Sequence, residues 1–178
     1  MSVRAVPSDD LVEVRLLAVP IARWSEAQEH AEGLLREFTL ITASTRRADA
    51  PQVPRRLLEL MEELERDYAT VSVEQDETLH AAASAGRESV DLSYRVPRSV
   101  ADACRRLADA LDAADEFCRS GEHLLSLATP AGALAFRQWF LGEFIRQVSG
   151  EGPRPWPQWL EEREEREELE ELEELEER

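Results

Sequence analysis

The sequence predicts a helix-rich α+β or small α/β domain, with about three short strands in one sheet and helices packed mainly on one face. Three observations predict it. The stretch "SVDLSYRVP" sends Val90, Leu92, Tyr94 and Val96 one way and Asp91, Ser93 and Arg95 the other, the pattern of a strand with one wet face. Several long segments repeat apolar residues at spacings of three and four, as amphipathic helices do. A junction recurs as "LLAVP", "SYRVP" and "SLATP", each ending at a proline that opens a helical pattern. Proline suits that place because it ends a ladder, fixes φ near the helical value and lacks only a donor that a first helical turn would leave unpaired.

Taken in order, residues 1–10, "MSVRAVPSDD", lack periodicity and are expected to be a mobile end. "LVEVRLLAVP" then reads as the first strand. Trp24, Ala27, Ala31, Leu34, Leu35, Phe38 and Ile41 follow along one side of a helix, which a polar loop around "TASTRRADAPQV" ends. A second helix carries Leu57, Met61, Leu64, Tyr68 and Val71 on one face, and a shorter third one runs through "DETLHAAASAG" to Gly86. After the alternating strand, a long helix buries Val100, Cys104, Leu107, Ala108, Leu111, Ala114 and Cys118. "HLLSLATP" reads as a third strand that feeds a helix from about Ala131 to Val148. Helices long enough to act as crossovers join the strands, so neighbouring strands could run parallel.

The last of these helices opens the densest aromatic stretch, "FRQWFLGEFIRQVSGEGPRPWPQW", which holds three of the four tryptophans. On a helical wheel Leu134, Phe140, Leu141, Phe144, Ile145 and Val148 form a core arc, while Trp139 lies nearly opposite and Phe136 between. Trp139 therefore needs a second cover. One candidate is "RPWPQW", held extended by its prolines and folded back so that Trp156 or Trp159 covers Trp139. The other is a partner protein, for which Phe136, Arg137, Trp139, Arg154, Trp156 and Trp159 would form the contact, being residue types enriched at binding hot spots.

With 178 residues the chain can bury a core in one domain, assigned to residues 11–159, without disulfides or metals. Cys104 and Cys118 lie about 21 Å apart along one helix and cannot bond to each other. The formal charge is −17, but residues 161–178 hold 12 glutamates and 3 arginines, a net of −9, so the rest carries −8. Residues 160–178 thus form an acidic, low-complexity tail, partly helical or disordered, and Leu169, Leu172 and Leu175 recur every three residues, which does not hold a coiled-coil seam. An acidic arm of this kind could engage an arginine-rich partner. No basic stripe favours nucleic acid, and no apolar run favours a membrane, so a cytoplasmic protein is expected.

Chemistry-bearing patterns are sparse. No glycine-rich phosphate loop occurs, and no pair among His30, His80 and His123 has zinc spacing, so no cofactor and no metal is expected. Glu26 and His30 stand one turn apart, as a general-base pair could, or as a histidine at an interface with an ion-pair neighbour. Asp112, Asp115 and Glu116 read as the wet side of a helix. Arg15, Asp91, Arg95 and His123 mark the open sheet face as a possible ligand surface. No catalytic residues are assigned.

The segments "VRLLAVP", "AQEHAEGLLREFTLI", "VDLSYRVP", "ADEFCRSGEHLLSLATP" and "FRQWFLGEFIRQVSGEGPRPWP" together resemble an uncharacterised family of small actinobacterial proteins that accompany anti-sigma and anti-anti-sigma proteins of stress signalling. The resemblance spans about residues 11–157 and leaves out the acidic tail. It implies a regulatory role through a protein partner and supplies no active-site residue. The leading expectation is a non-enzymatic regulatory or adaptor domain; the alternative is a small-ligand sensor or small enzyme using the open sheet face.

Overall fold

The computed structural model describes residues 10–44, 51–120 and 129–176. The expected N-terminal end (residues 1–9) and most of the third strand (residues 123–128) lie outside them. Thr129 and Pro130, the end of that segment, belong to no strand. In chain order the elements are β1 (Leu11–Pro20), α1 (Ile21–Ser44), α2 (Gln52–Ser84), β2 (Ser89–Pro97), α3 (Val100–Arg119), α4 (Ala131–Val148) and α5 (Trp156–Glu176). The protein is a helix-rich α+β structure.

The described strands form one two-stranded sheet, and they run antiparallel rather than parallel. The reason lies in the connection. A single helix between strands returns the chain to the starting end and gives a parallel pair. Here α1 and α2 pack as an out-and-back pair, so the chain re-enters beside the end of β1, where Pro20 pairs with Ser89 and the Ile21 amide donates to the Glu88 carbonyl at 3.0 Å. The two helices expected within residues 52–84 are one continuous α2, because the "TVSV" stretch weakens helix propensity without supplying a glycine or proline to stop it. Gly86, with φ +65°, ends the turn that follows.

Exposure alternates strictly along β2, and Val14, Leu16 and Val19 of β1 join its buried face. The wet face carries Glu13, Arg15, Asp91, Ser93 and Arg95, all exposed. Opposite Asp91 the ladder skips between Leu16 and Val19, leaving a bulge in which Ala18 takes φ 53° and its amide donates to Asp91 Oδ1 at 2.7 Å.

A two-stranded ribbon has two open edges, and a glutamine caps each at the same rung, where Arg15 faces Ser93. From α4, Gln147 Oε1 accepts from the Arg15 amide (2.9 Å) while its Nε2 donates to the Arg15 carbonyl (2.8 Å). From α2, Gln75 Nε2 donates to the Ser93 carbonyl at 2.6 Å.

Helix α4 is the centre of the molecule: it packs against α1, α3, α5 and β1. This is why Trp139 (0 % exposed) and Phe136 (5 %) are as buried as Leu141 and Phe144, although they occupy different sides of the helix. The cover for Trp139 is the chain itself. Trp139 Nε1 donates to the Arg154 carbonyl (3.0 Å), and Trp156 meets the Trp139 ring edge-on at 5.6 Å. Trp156 and Trp159 sit in the first turns of a helix, not in an extended segment, and stack on each other at 5.5 Å. That helix, α5, continues through the acidic segment to Glu176, with Leu169, Leu172 and Leu175 exposed. A second, smaller core holds Leu34, Phe38, Leu57, Ala114 and Cys118 together at the far end of α1, α2 and α3.

Candidate functional site

Between the sheet and helices α1 to α4 lies a pocket of about 250 Å³. Its walls are Trp24 and Leu34 of α1, Leu79 of α2, Tyr94 of β2, and Ala133, Phe136, Phe140 and Leu141 of α4; Trp24, Leu34, Tyr94, Phe140 and Leu141 lie on faces that the sequence pattern turned inward. Tyr94 meets Phe140 edge-on at 6.4 Å, and Phe136 leans on Phe140 at 5.6 Å, so the aromatic lining is braced from behind.

Polar groups converge on this pocket. His30, Thr129 and Arg137 line it, and Asp115 of α3, only 7 % exposed, ties them together. Asp115 Oδ1 accepts from both the Thr129 hydroxyl and the Thr129 amide (3.1 Å), and Oδ2 accepts from Arg137 Nη2 at 2.8 Å. Arg137 Nη2 also donates to Asp112 Oδ1 at 2.7 Å. Thr129 Oγ1 lies 3.0 Å from His30 Nε2.

These contacts set the protonation states. Burial alone would raise the Asp115 carboxyl, but the Thr129 and Arg137 hydrogen bonds and the guanidinium charge outweigh it and hold it below its usual 3.8. His30 is lowered from its usual 6.5, chiefly by burial, with Arg137 adding to that effect and Asp115 opposing it. Near neutral pH the site therefore holds an ionised aspartate and a neutral imidazole.

Asp115 overturns its reading as part of a wet helix face. It stands four residues after Leu111 and three before Cys118, on the apolar row of α3, and Arg137 stands midway between Ala133 and Leu141 on the buried row of α4. A charge on each of two facing apolar rows was the signal for this pair. His30 has a different partner from the one its spacing suggested: Glu26 pairs with Arg23 at 2.8 Å, and His30 meets Thr129.

The residues proposed for a partner surface are mostly interior. Phe136, Trp139, Trp156 and Trp159 are buried, Arg137 is committed to Asp112 and Asp115, and Arg154 pairs with Glu162 at 2.7 Å. Burial removes the aromatic surface that a partner would cover. Of the sheet-face residues, Asp91 and Arg95 share a polar groove of about 560 Å³ with Glu74, Gln75 and Thr78 of α2. Arg15 does not reach it, and His123 lies outside the described residues. Half of the residues lining the groove are exposed, whereas in the aromatic pocket only Gln28 and Asp76 are.

On α3, burial pushes the Cys104 thiol up to about 12, far from a reactive thiolate, and also raises the Cys118 thiol. Among the described residues no group of three or more His, Cys, Asp or Glu side chains could hold a metal ion, and no helix is long and apolar enough to cross a membrane. Comparison of the chain with protein-family models, with curated proteins and with solved structures finds no match. What fold and site define is thus a class, a helix-rich α+β domain with a largely apolar, aromatic-walled pocket and a polar network bordering it.

Proposed function

We propose that this chain is a non-enzymatic regulatory domain that takes a small, largely apolar molecule into the pocket between α1, α2, α3, α4 and β2. The observation that carries the reading is the pocket itself: buried aromatic walls with a few convergent polar groups whose ionisation is perturbed are the usual makings of a small-molecule site. Neither Asp115 nor a thiol is set up for turnover, which favours binding. Both Asp115 oxygens are taken up by Thr129 and Arg137, so the carboxylate has little capacity left as a base, and burial raises the thiols of both Cys104 and Cys118. A regulatory role accords with the resemblance to proteins that accompany stress-signalling partners, and occupancy of a pocket touching four helices is a direct way to change how those helices pack.

Titration calorimetry of the full chain with naphthalene tests this. Saturable one-site binding is expected, and Ala133→Phe, which places a ring where a fully buried methyl lines the pocket, should abolish it while the circular dichroism spectrum is kept. Absence of binding to the native chain, or equal binding to the variant, overturns the reading.

One observation favours protein contact as a second reading. α5 carries Leu169, Leu172 and Leu175 at 58–67 % exposure on an otherwise acidic helix, a surface suited to a basic, amphipathic partner. Capture experiments comparing the full chain with one ending at Arg166 test it; equal capture by both sinks it.

A further inference from the structure

We propose that the pocket selects a neutral aromatic molecule bearing one hydroxyl or N–H donor, a phenol- or indole-type ligand whose donor is accepted by His30 Nδ1. This rests on the ligand-binding reading above and adds the chemical class.

The first argument is an account of protons. Thr129 has one hydroxyl hydrogen, and an ionised Asp115 can only accept, so that hydrogen goes to Asp115 Oδ1. Thr129 Oγ1 must then be the acceptor toward His30, which places the imidazole hydrogen on Nε2. In the neutral ring Nδ1 is left as an acceptor, and it has no partner among the described residues. His30 Nδ1 is thus an acceptor that no described residue uses, in a lining that also holds the Gln28 amide, and a ligand donor would satisfy it.

The second argument is charge. Arg137 is the cation of the network, and its Nη2 already donates to both Asp112 and Asp115. An anionic head would meet two carboxylates for one guanidinium, and Asp76 of α2 also lines the pocket. Carboxylates such as fatty or aromatic acids are therefore repelled. A buried ammonium fares little better, because the Asp115 oxygens it would need are taken, and an unpaired charge is costly to desolvate.

The third argument is shape. The volume equals that of about eight waters, which suits a one- or two-ring molecule. Trp24, Tyr94, Phe136 and Phe140 offer ring faces and edges, for which an aromatic guest gains more than an aliphatic one of equal area.

The test compares naphthalene, 2-naphthol and 2-naphthoate against the full chain by calorimetry near neutral pH. 2-Naphthol should bind roughly 3- to 10-fold tighter than naphthalene, the yield of one neutral hydrogen bond, and 2-naphthoate should be the weakest. His30→Leu should erase the advantage of 2-naphthol and leave naphthalene binding. Should that variant misfold, ¹⁵N spectra of the native histidines decide: the His30 Nδ1 resonance should move with 2-naphthol and hold still with naphthalene. Naphthalene binding as tightly as 2-naphthol, or 2-naphthoate binding tightest, overturns the donor class while the pocket stands as a binding site. If none of the three binds, the ligand-binding reading falls with it.

Discussion

Two carboxylates are buried against α4, Glu143 on the helix itself and Asp115 facing it from α3, and the chain uses them differently. Glu143, 1 % exposed, accepts from Arg146 Nη1 (2.6 Å), Gln147 Nε2 (2.9 Å) and the Arg154 amide (2.9 Å). All of its partners lie within one stretch of sequence. Through them it fixes the turn after α4 and, by way of Gln147, the edge of β1. Asp115 collects equally good bonds, but from α4 and from the segment before it, and its chain of contacts ends at a histidine with an acceptor to spare beside a pocket. Burial and an arginine neighbour are common to both; what separates a structural acid from a candidate site is whether the network ends within the chain or at a space.

The largest break in this contrast should come from Glu143→Leu. It leaves Arg146, Gln147 and the Arg154 amide without their shared acceptor and should cost about 3–5 kcal/mol, read from the urea midpoint. Naphthalene affinity measured where the variant is still folded should change little, since the lesion lies outside the pocket. Next comes Asp115→Asn, at about 1.5–3 kcal/mol, the range for hydrogen bonds to a charged group. This variant should also flatten the acid side of the stability profile. The native Asp115 pKa is depressed, so its stabilisation is present above 3.8 and lost as pH falls through the lower folded value. The native His30 pKa is also depressed, so its share is present above 6.5 and is lost as pH falls toward its folded value. Urea midpoints taken across this range should therefore decline in two stages, the first missing from a His30 variant and the second from Asp115→Asn. The smallest effect belongs to Gln147→Ala, about 1–2 kcal/mol, because the bonds to the Arg15 backbone and one donor to Glu143 are lost while Glu143 keeps Arg146 and the Arg154 amide. A loss as large as that of Glu143→Leu would mean that the two residues act as one unit.

Local features of the fold were legible in the chain. The alternation of "SVDLSYRVP" is reproduced residue by residue in the exposure of β2, and the prolines of "LLAVP" and "SLATP" stand at the starts of α1 and α4. Strand direction was not legible, because it depends on how many helical passes separate the strands, and a continuous α2 paired with α1 supplies an even number. The two sides of α4 were legible only in part. The wheel showed that Trp139 needs a second cover, and the return of "RPWPQW" was one of the two covers expected; what it did not show is that Trp156 and Trp159 begin a helix. Asp115 and Arg137 were visible as charges on apolar rows, but only their facing each other shows why both are tolerated there.

The tryptophan cluster has a practical consequence. Trp156 and Trp159 overlap as near-parallel rings, tilted by 23°, and Trp139 stands edge-on beside them. Indoles at such separations couple their excited states, so the docking of α5 carries its own optical signature. Any event that lifts the acidic helix from the body would remove the Trp139–Trp156 part of that signal, while the Trp156–Trp159 pair travels with α5 and Trp24, on α1, serves as an internal reference.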